Sequence, residues 1–167
     1  MKSVYSFKRI IKAFCLRAST HLPVNNRVRV YLASWGVKIM DKKRCFIGDG
    51  VIFDSLYPEN IIMEKGSYLT MRCIILAHFM DTKTEKGTKW STGKVILREG
   101  CFVGCGTIIT NPVEIGEHSI VGAGSLVTKN IPPYEIWGGN PARFIKRRGM
   151  GNSEAKEEVS NVTDKKD

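Results

Sequence analysis

Three histidines occur in this 167-residue chain, at positions 21, 78 and 118, and their settings differ. An imidazole titrates near neutrality, so it can take a proton from a hydroxyl that is a poor nucleophile at pH 7. His21 falls in a strongly basic stretch, and His118 takes an outward position in the unit IGEHSI, where a solvated role is expected. His78 instead opens a polar, turn-rich segment, HFMDTKTEKGTKWSTGK, that breaks an otherwise regular repeat. A long excursion from a rigid scaffold is where binding and catalytic groups collect. Asp54 and Asp81 are carboxylates able to orient His78 or an acceptor, although each also suits a turn. Trp90 is placed either to wall an acceptor pocket or to pack on a neighbouring subunit. The five cysteines (15, 45, 73, 101 and 105) show no metal-ligand spacing, so buried thiols and no metal are expected.

The scaffold that must hold these residues is a period of six. From Leu97 to Pro132 the chain reads LREGCF, VGCGTI, ITNPVE, IGEHSI, VGAGSL, VTKNIP without an insertion. Leu97, Val103, Ile109, Ile115, Val121 and Val127 open the hexads, Cys101, Thr107, Val113, Ser119 and Ser125 stand fifth, and Gly104, Gly116 and Gly122 stand second. Six is neither the period of a helix nor that of a flat strand; it reads as a short strand plus a corner, repeated. Three hexads then close one triangular turn of a parallel β-helix, with aliphatics inside, small fifth residues under the corner, and coils stacked roughly 4.8 Å apart. Glycine at the second position is expected to serve backbone conformations that other residues resist. Ahead of this run, Ile47, Met63, Leu69 and Ile75 mark weaker units. The unit at Met63 arrives two residues early, which predicts a tightened corner over residues 53–60, and the unit at Leu97 arrives sixteen late, which predicts the loop 78–94.

With 43% hydrophobic and 25% charged residues the composition is globular. The net charge of +10 is concentrated at one end: residues 1–46 hold eleven Lys or Arg against Asp41 alone. No stretch is long or apolar enough for a membrane span or a signal-peptide core, so a cytoplasmic protein is expected. Residues 1–35 read as a basic helical segment, with apolar residues at helical spacing and a second short helix after the Leu22-Pro23 break. Two roles stay open for it, a cap over the coil end or a peripheral anchor on anionic lipid; no nucleic-acid-binding motif accompanies the charge. Residues 36–148 form the repeat domain, and 149–167, without aromatics or periodicity, read as a disordered tail.

Taken together, Ala77-His78, Asp81, the polar loop to Gly93-Lys94-Val95, the hexads, VGAGSLVTK ending at Lys129, Ile131-Pro132-Pro133-Tyr134 and GGNPAR ending at Arg143 resemble the hexapeptide-repeat acyltransferases. The match is to the maltose, galactoside and polysaccharide O-acetyltransferase group, over residues 36–148. The resemblance implies an all-β, left-handed parallel β-helix with a short N-terminal helical cap. It also implies homotrimers with acetyl-CoA lying between neighbouring prisms, and transfer of acetyl to a hydroxyl of a saccharide or glycan precursor. His78 matches the family's catalytic base. Cys105 and Ala123 match the small residues lining the pantetheine groove, and Thr128, Lys129, Arg143 and Lys146 match its polar and basic positions. Phe102 stands where many relatives carry Trp, and the surroundings of Asp54 depart from the maltose and galactoside acceptor pattern.

Other classes remain as comparisons. A non-sugar acceptor, such as a small alcohol, an antibiotic or serine, would use the same chemistry. A γ-class carbonic anhydrase needs three zinc histidines, and a non-catalytic β-helix module would lack His78, its loop and the basic C-terminal residues together.

Overall fold

The computed structural model describes residues 7–81 and 89–149. Two helices come first, α1 (Phe7–His21) and α2 (Asn26–Ala33), separated by the Pro23 break and an N-cap in which Asn25 Oδ1 accepts from Val28 N–H. Beyond them the chain passes through three mainly parallel sheets in strict rotation. The first sheet stacks Lys38–Ile39, Ile61–Met63, Val95–Leu97 and Val113–Ile115. The second stacks Phe46–Ile47, Tyr68–Leu69, Phe102–Val103, Ile120–Val121 and Glu135–Gly138, and ends on an antiparallel strand, Arg143–Arg147. The third stacks Ile52–Phe53, Ile74–Ile75, Ile108–Ile109 and Leu126–Val127.

Pairing follows the hexad arithmetic. Leu97 lies beside Ile115, Val103 beside Val121 and Ile109 beside Val127, each eighteen residues on, so one turn of the coil takes three hexads. All six first-position aliphatics from Leu97 to Val127 are fully buried, each worth roughly 1.5–3 kcal/mol of transfer free energy. The fifth positions are buried too. Their hydroxyls are satisfied at the corners, where Ser119 Oγ donates to Gly116 C=O and Ser125 Oγ to Gly122 C=O, both at 2.6 Å. At the open end, the Asn26 side chain of α2 takes the place of a missing coil: its Oδ1 accepts from Ile47 N–H and its Nδ2 donates to Cys45 C=O.

Two local expectations are corrected. Second-position glycines are not the ones with unusual backbone angles. A Cβ on Gly104 would lie 2.5 Å from Ala123 N, and one on Gly116 2.4 Å from Pro133 N, so the next coil's backbone leaves no room for a side chain there. The left-handed conformation belongs to the fourth position, at Gly106 and Gly124 but also at Arg72 and His118.

The corner before Met63 is lengthened rather than tightened. Ten residues separate Phe53 from Met63 where six separate Ile109 from Ile115, because Pro58–Asn60 adds a 3₁₀ turn before the first sheet resumes. The excursion after Ile75 is also more ordered than a loop. His78–Asp81 and Lys89–Thr92 pair as an antiparallel ribbon, with His78 opposite Thr92 and Asp81 opposite Lys89. The tail expected at 149–167 lies outside the described residues after Gly149.

Candidate active site

The lengthened corner and the base of the ribbon meet at one pair of side chains. Asp54 Oδ2 lies 2.5 Å from His78 Nδ1 and also accepts from Ala77 N–H at 2.8 Å. Its other oxygen accepts from Leu56 N–H at 2.8 Å and Tyr57 N–H at 3.1 Å, the local turn that the extra residues of this corner make available. The Asp54 side chain is wholly buried, and burial alone would raise its pKa. The hydrogen bonds from His78 and from the backbone of Tyr57, Ala77 and Leu56 outweigh that and hold the carboxyl below its ordinary value.

A carboxylate fixed by three backbone N–H groups sets the proton arrangement of its partner. Nδ1–H of His78 donates to Asp54, which leaves Nε2 as the nitrogen with a free lone pair. The imidazole is partly open to solvent at 23%. Trp90, on the opposite strand of the ribbon, stands 5.6 Å from it between ring centroids, and Tyr57 stands 6.1 Å away. Trp90 is itself 63% exposed, so one flank of the histidine is an aromatic wall open on its outer side among the described residues.

Of the two roles open to Asp54, orienting His78 or an acceptor, the geometry bears on the first: its oxygens are engaged on His78 and the corner, and its side chain is buried. Asp81 lies three residues along the strand from His78, roughly 10 Å by strand rise. Tyr57 and the N–H of Ala77 were not picked out from the sequence. The run Asp54-Ser55-Leu56-Tyr57-Pro58, an Asp followed by turn chemistry, is the signal that points to them.

The remaining candidates fall on two edges of the coil. Cys105 and Ala123, both exposed, occupy successive turns on the edge between second and third sheets, tied by Gly124 N–H donating to Cys105 C=O at 2.8 Å. Thr128 and the exposed Lys129 lie on the next edge, after Val127, which is the edge that carries His78 two coils earlier. Arg143 and Lys146 share one face of the last strand. Arg143 pairs with Gly138 and Lys146 with Ile136, because a bulge opposite Ile136/Trp137 returns both to the same side; without it, residues three apart would face oppositely. The third sheet thus separates the small-residue edge from His78 by roughly 20 Å of strand.

Among the described residues, no group of three or more His, Cys, Asp or Glu could hold a metal ion.

Comparison with known proteins agrees with the repeat. Residues 94–129 match the family described as bacterial transferase hexapeptide, six repeats, so the hexapeptide resemblance holds in this stretch. The serine acetyltransferase of Buchnera aphidicola (strain Sg of subspecies Schizaphis graminum) is 35% identical over 104 residues, 60% of this chain and 38% of that protein. The galactoside O-acetyltransferase of Escherichia coli K12 is 27% identical over 118 residues, 71% of this chain and 51% of that one. The chain thus spans about half or less of the length of these relatives. Among solved structures, a mutant of the N-acyltransferase AntD from Bacillus cereus, in complex with dTDP and coenzyme A, superposes with a TM-score of 0.53 at 25% identity, over 76% of this chain and 86% of that one.

Proposed function

We propose that this hexapeptide-repeat chain is an acetyl-CoA-dependent O-acetyltransferase acting on a hydroxyl of a saccharide or glycan precursor. The observation that carries the proposal is the buried Asp54 carboxylate held against His78 at the mouth of the ribbon. His78 Nε2 takes the proton of the acceptor hydroxyl as the oxygen attacks the thioester carbonyl, and the departing CoA thiolate recovers a proton from the imidazolium. Asp54 keeps the imidazole in the right tautomer and stabilises its charged form. Transfer is direct, with no acyl-enzyme and no metal step, and the winding is taken as left-handed, as in the family.

The active unit is a homotrimer with sites between subunits. One chain sets His78 and the small-residue edge of Cys105 and Ala123 at opposite ends of the third sheet, so a neighbouring prism supplies the second wall of a groove. The outer faces of the second and third sheets favour such packing. Phe46, Tyr68 and Phe102 form a ladder with centroids 5.8 and 6.5 Å apart, and Ile52, Ile74, Ile108 and Leu126 form an aliphatic row. Lys129, Arg143 and Lys146 are the cations for the CoA phosphates, and Thr128 adds a hydroxyl. The protein works in the cytoplasm.

Steady-state kinetics with acetyl-CoA and a panel of saccharides, with serine and chloramphenicol as controls, tests this reading. A saccharide hydroxyl is expected to be the preferred acceptor. The Lys129→Ala/Arg143→Ala/Lys146→Ala variant is expected to raise KM for acetyl-CoA about tenfold or more while sparing kcat, since phosphate contacts far from the chemistry bind ground and transition states alike. Transfer to no hydroxyl acceptor, or an unaltered KM in that variant, contradicts it.

A further inference from the structure

The hydrophobic side of α1 points away from the protein. Phe7, Ile10 and Phe14 recur at helical spacing along one side and are 75%, 54% and 73% exposed. The packed side is the other one. Leu16, nine residues or about two and a half turns after Phe7, is buried, as is Ser19, whose C=O accepts from the buried Arg29 of α2 at 3.2 Å. A helix that only covered the coil end would bury its largest side chains; this one leaves two phenylalanines and an isoleucine in solvent. Exposed Lys8 and Arg17 flank that side, and α1 contains no acidic residue. The rest of the cap repeats the theme: Lys42 Nζ sits 5.3 Å from the centre of the exposed Tyr31 ring, and Asp41 is the single acid before residue 47.

We infer that this face of α1 docks on an anionic lipid bilayer. The helix lies in the plane of the interface, with Phe7, Ile10 and Phe14 among the upper acyl chains and Lys8 and Arg17 at the headgroups. Charge decides between occupants. A second copy offering the same face would set cations against cations, and a nucleic acid would meet the cations while leaving three apolar side chains without matching surface. A bilayer bearing anionic headgroups matches both features at once.

The flank of α1 between its exposed and packed sides adds a functional consequence. Arg9, Ile10 and Lys12 border a cavity of about 310 Å³ whose far wall is Ser55, Leu56 and Glu59, from the corner that holds Asp54. Docking therefore brings the His78 corner to the headgroup layer. On the acetyl-transfer reading, on which this consequence alone rests, the acceptor hydroxyl is presented by a membrane-bound molecule.

Co-sedimentation of the full chain with phosphatidylcholine vesicles, with and without phosphatidylglycerol, tests the docking without any acetyl transfer. Binding is expected only with phosphatidylglycerol. It should fall about tenfold or more in Phe7→Ser/Ile10→Ser/Phe14→Ser, and also in Lys8→Glu/Arg17→Glu. All five positions are exposed, so both variants should melt as wild type does; vesicle binding by wild type at low and high salt reads the same surface if either misfolds. The proposal is overturned if wild type stays in the supernatant with anionic vesicles at low salt, or if a folded triple-serine variant binds as wild type does. It is equally overturned if that variant instead loses its oligomeric state, which assigns the face to a second copy, or if it loses binding to single-stranded RNA while wild type ignores vesicles.

Discussion

Replacing His78 with alanine is expected to lower acetyl-transfer turnover by a factor of about 10² or more, the scale on which a positioned general base acts. The loss should appear equally in kcat and kcat/KM, because the proton is taken only as the acceptor oxygen attacks. Folding should be nearly unchanged. The imidazole is partly open, and its removal leaves Asp54 with the three backbone donors of Leu56, Tyr57 and Ala77. CoA binding measured by calorimetry should also persist, since no cation assigned to the phosphates touches His78. Turnover equal to wild type would remove the mechanism.

Asp54→Ala should have the largest effect on stability. It strips the acceptor from three N–H groups, of which that of Ala77 is buried while those of Leu56 and Tyr57 are part-buried and open to water; orphaning a buried donor costs roughly 1–3 kcal/mol, so a loss of about that size is expected in a denaturant titration. Asp54→Asn separates stability from catalysis. Its carbonyl can still serve Leu56 and Tyr57, but its NH₂ then faces Ala77 N–H and His78 Nδ1, which drives the ring's proton to Nε2 and removes the base. Turnover should fall much further than stability. The acid limb provides a second readout. The carboxyl is held below its ordinary value in the folded chain, so its charge stabilises the fold fully above the usual carboxylate range near pH 4. That contribution is lost as pH falls through the lower folded value. Melts taken from about pH 7 to about pH 3 should show a wild-type decline steeper than that of Asp54→Asn, which keeps the lowered carboxyls of Glu99 and Glu114. Parallel curves would mean that the Asp54 charge contributes nothing.

Much of the scaffold was legible because a six-residue period needs three coincident residue types. First-position aliphatics and small fifth positions marked the strands and corners from Leu97 to Val127, and His78 stood out because it opens the break in that period. Spacing alone failed at the corner before Met63. Counting on from Phe53 places a unit at Glu59 and so makes Met63 early, whereas the strand resumes only after a 3₁₀ turn. That miscount left Asp54 with two alternatives, orienting His78 or an acceptor. A carboxylate followed by turn residues fits a turn-former and an orienting group equally well, and here it is both. The second-position glycines were read for conformation when the neighbouring coil's backbone is the reason for them at Gly104 and Gly116. The bulge that sets Arg143 and Lys146 on one face depends on pairing with residues 135–138, which no local pattern displays. Likewise, the sequence of α1 shows an amphipathic helix but not which side is packed.

The central claim is that His78 of one subunit acts on acetyl-CoA held along the small-residue edge of another. Subunit mixing tests it directly. His78→Ala and Ala123→Trp should each be nearly inactive as pure trimers, the first without a base and the second with the pantetheine groove filled. After co-refolding, each mixed trimer contains one interface that pairs an intact His78 with an intact Ala123 edge and so should have about one third of wild-type activity, or about one quarter for an unfractionated equal mixture that still holds pure parent trimers. Mixed trimers that remain as inactive as their parents would place base and groove within a single chain and contradict the account.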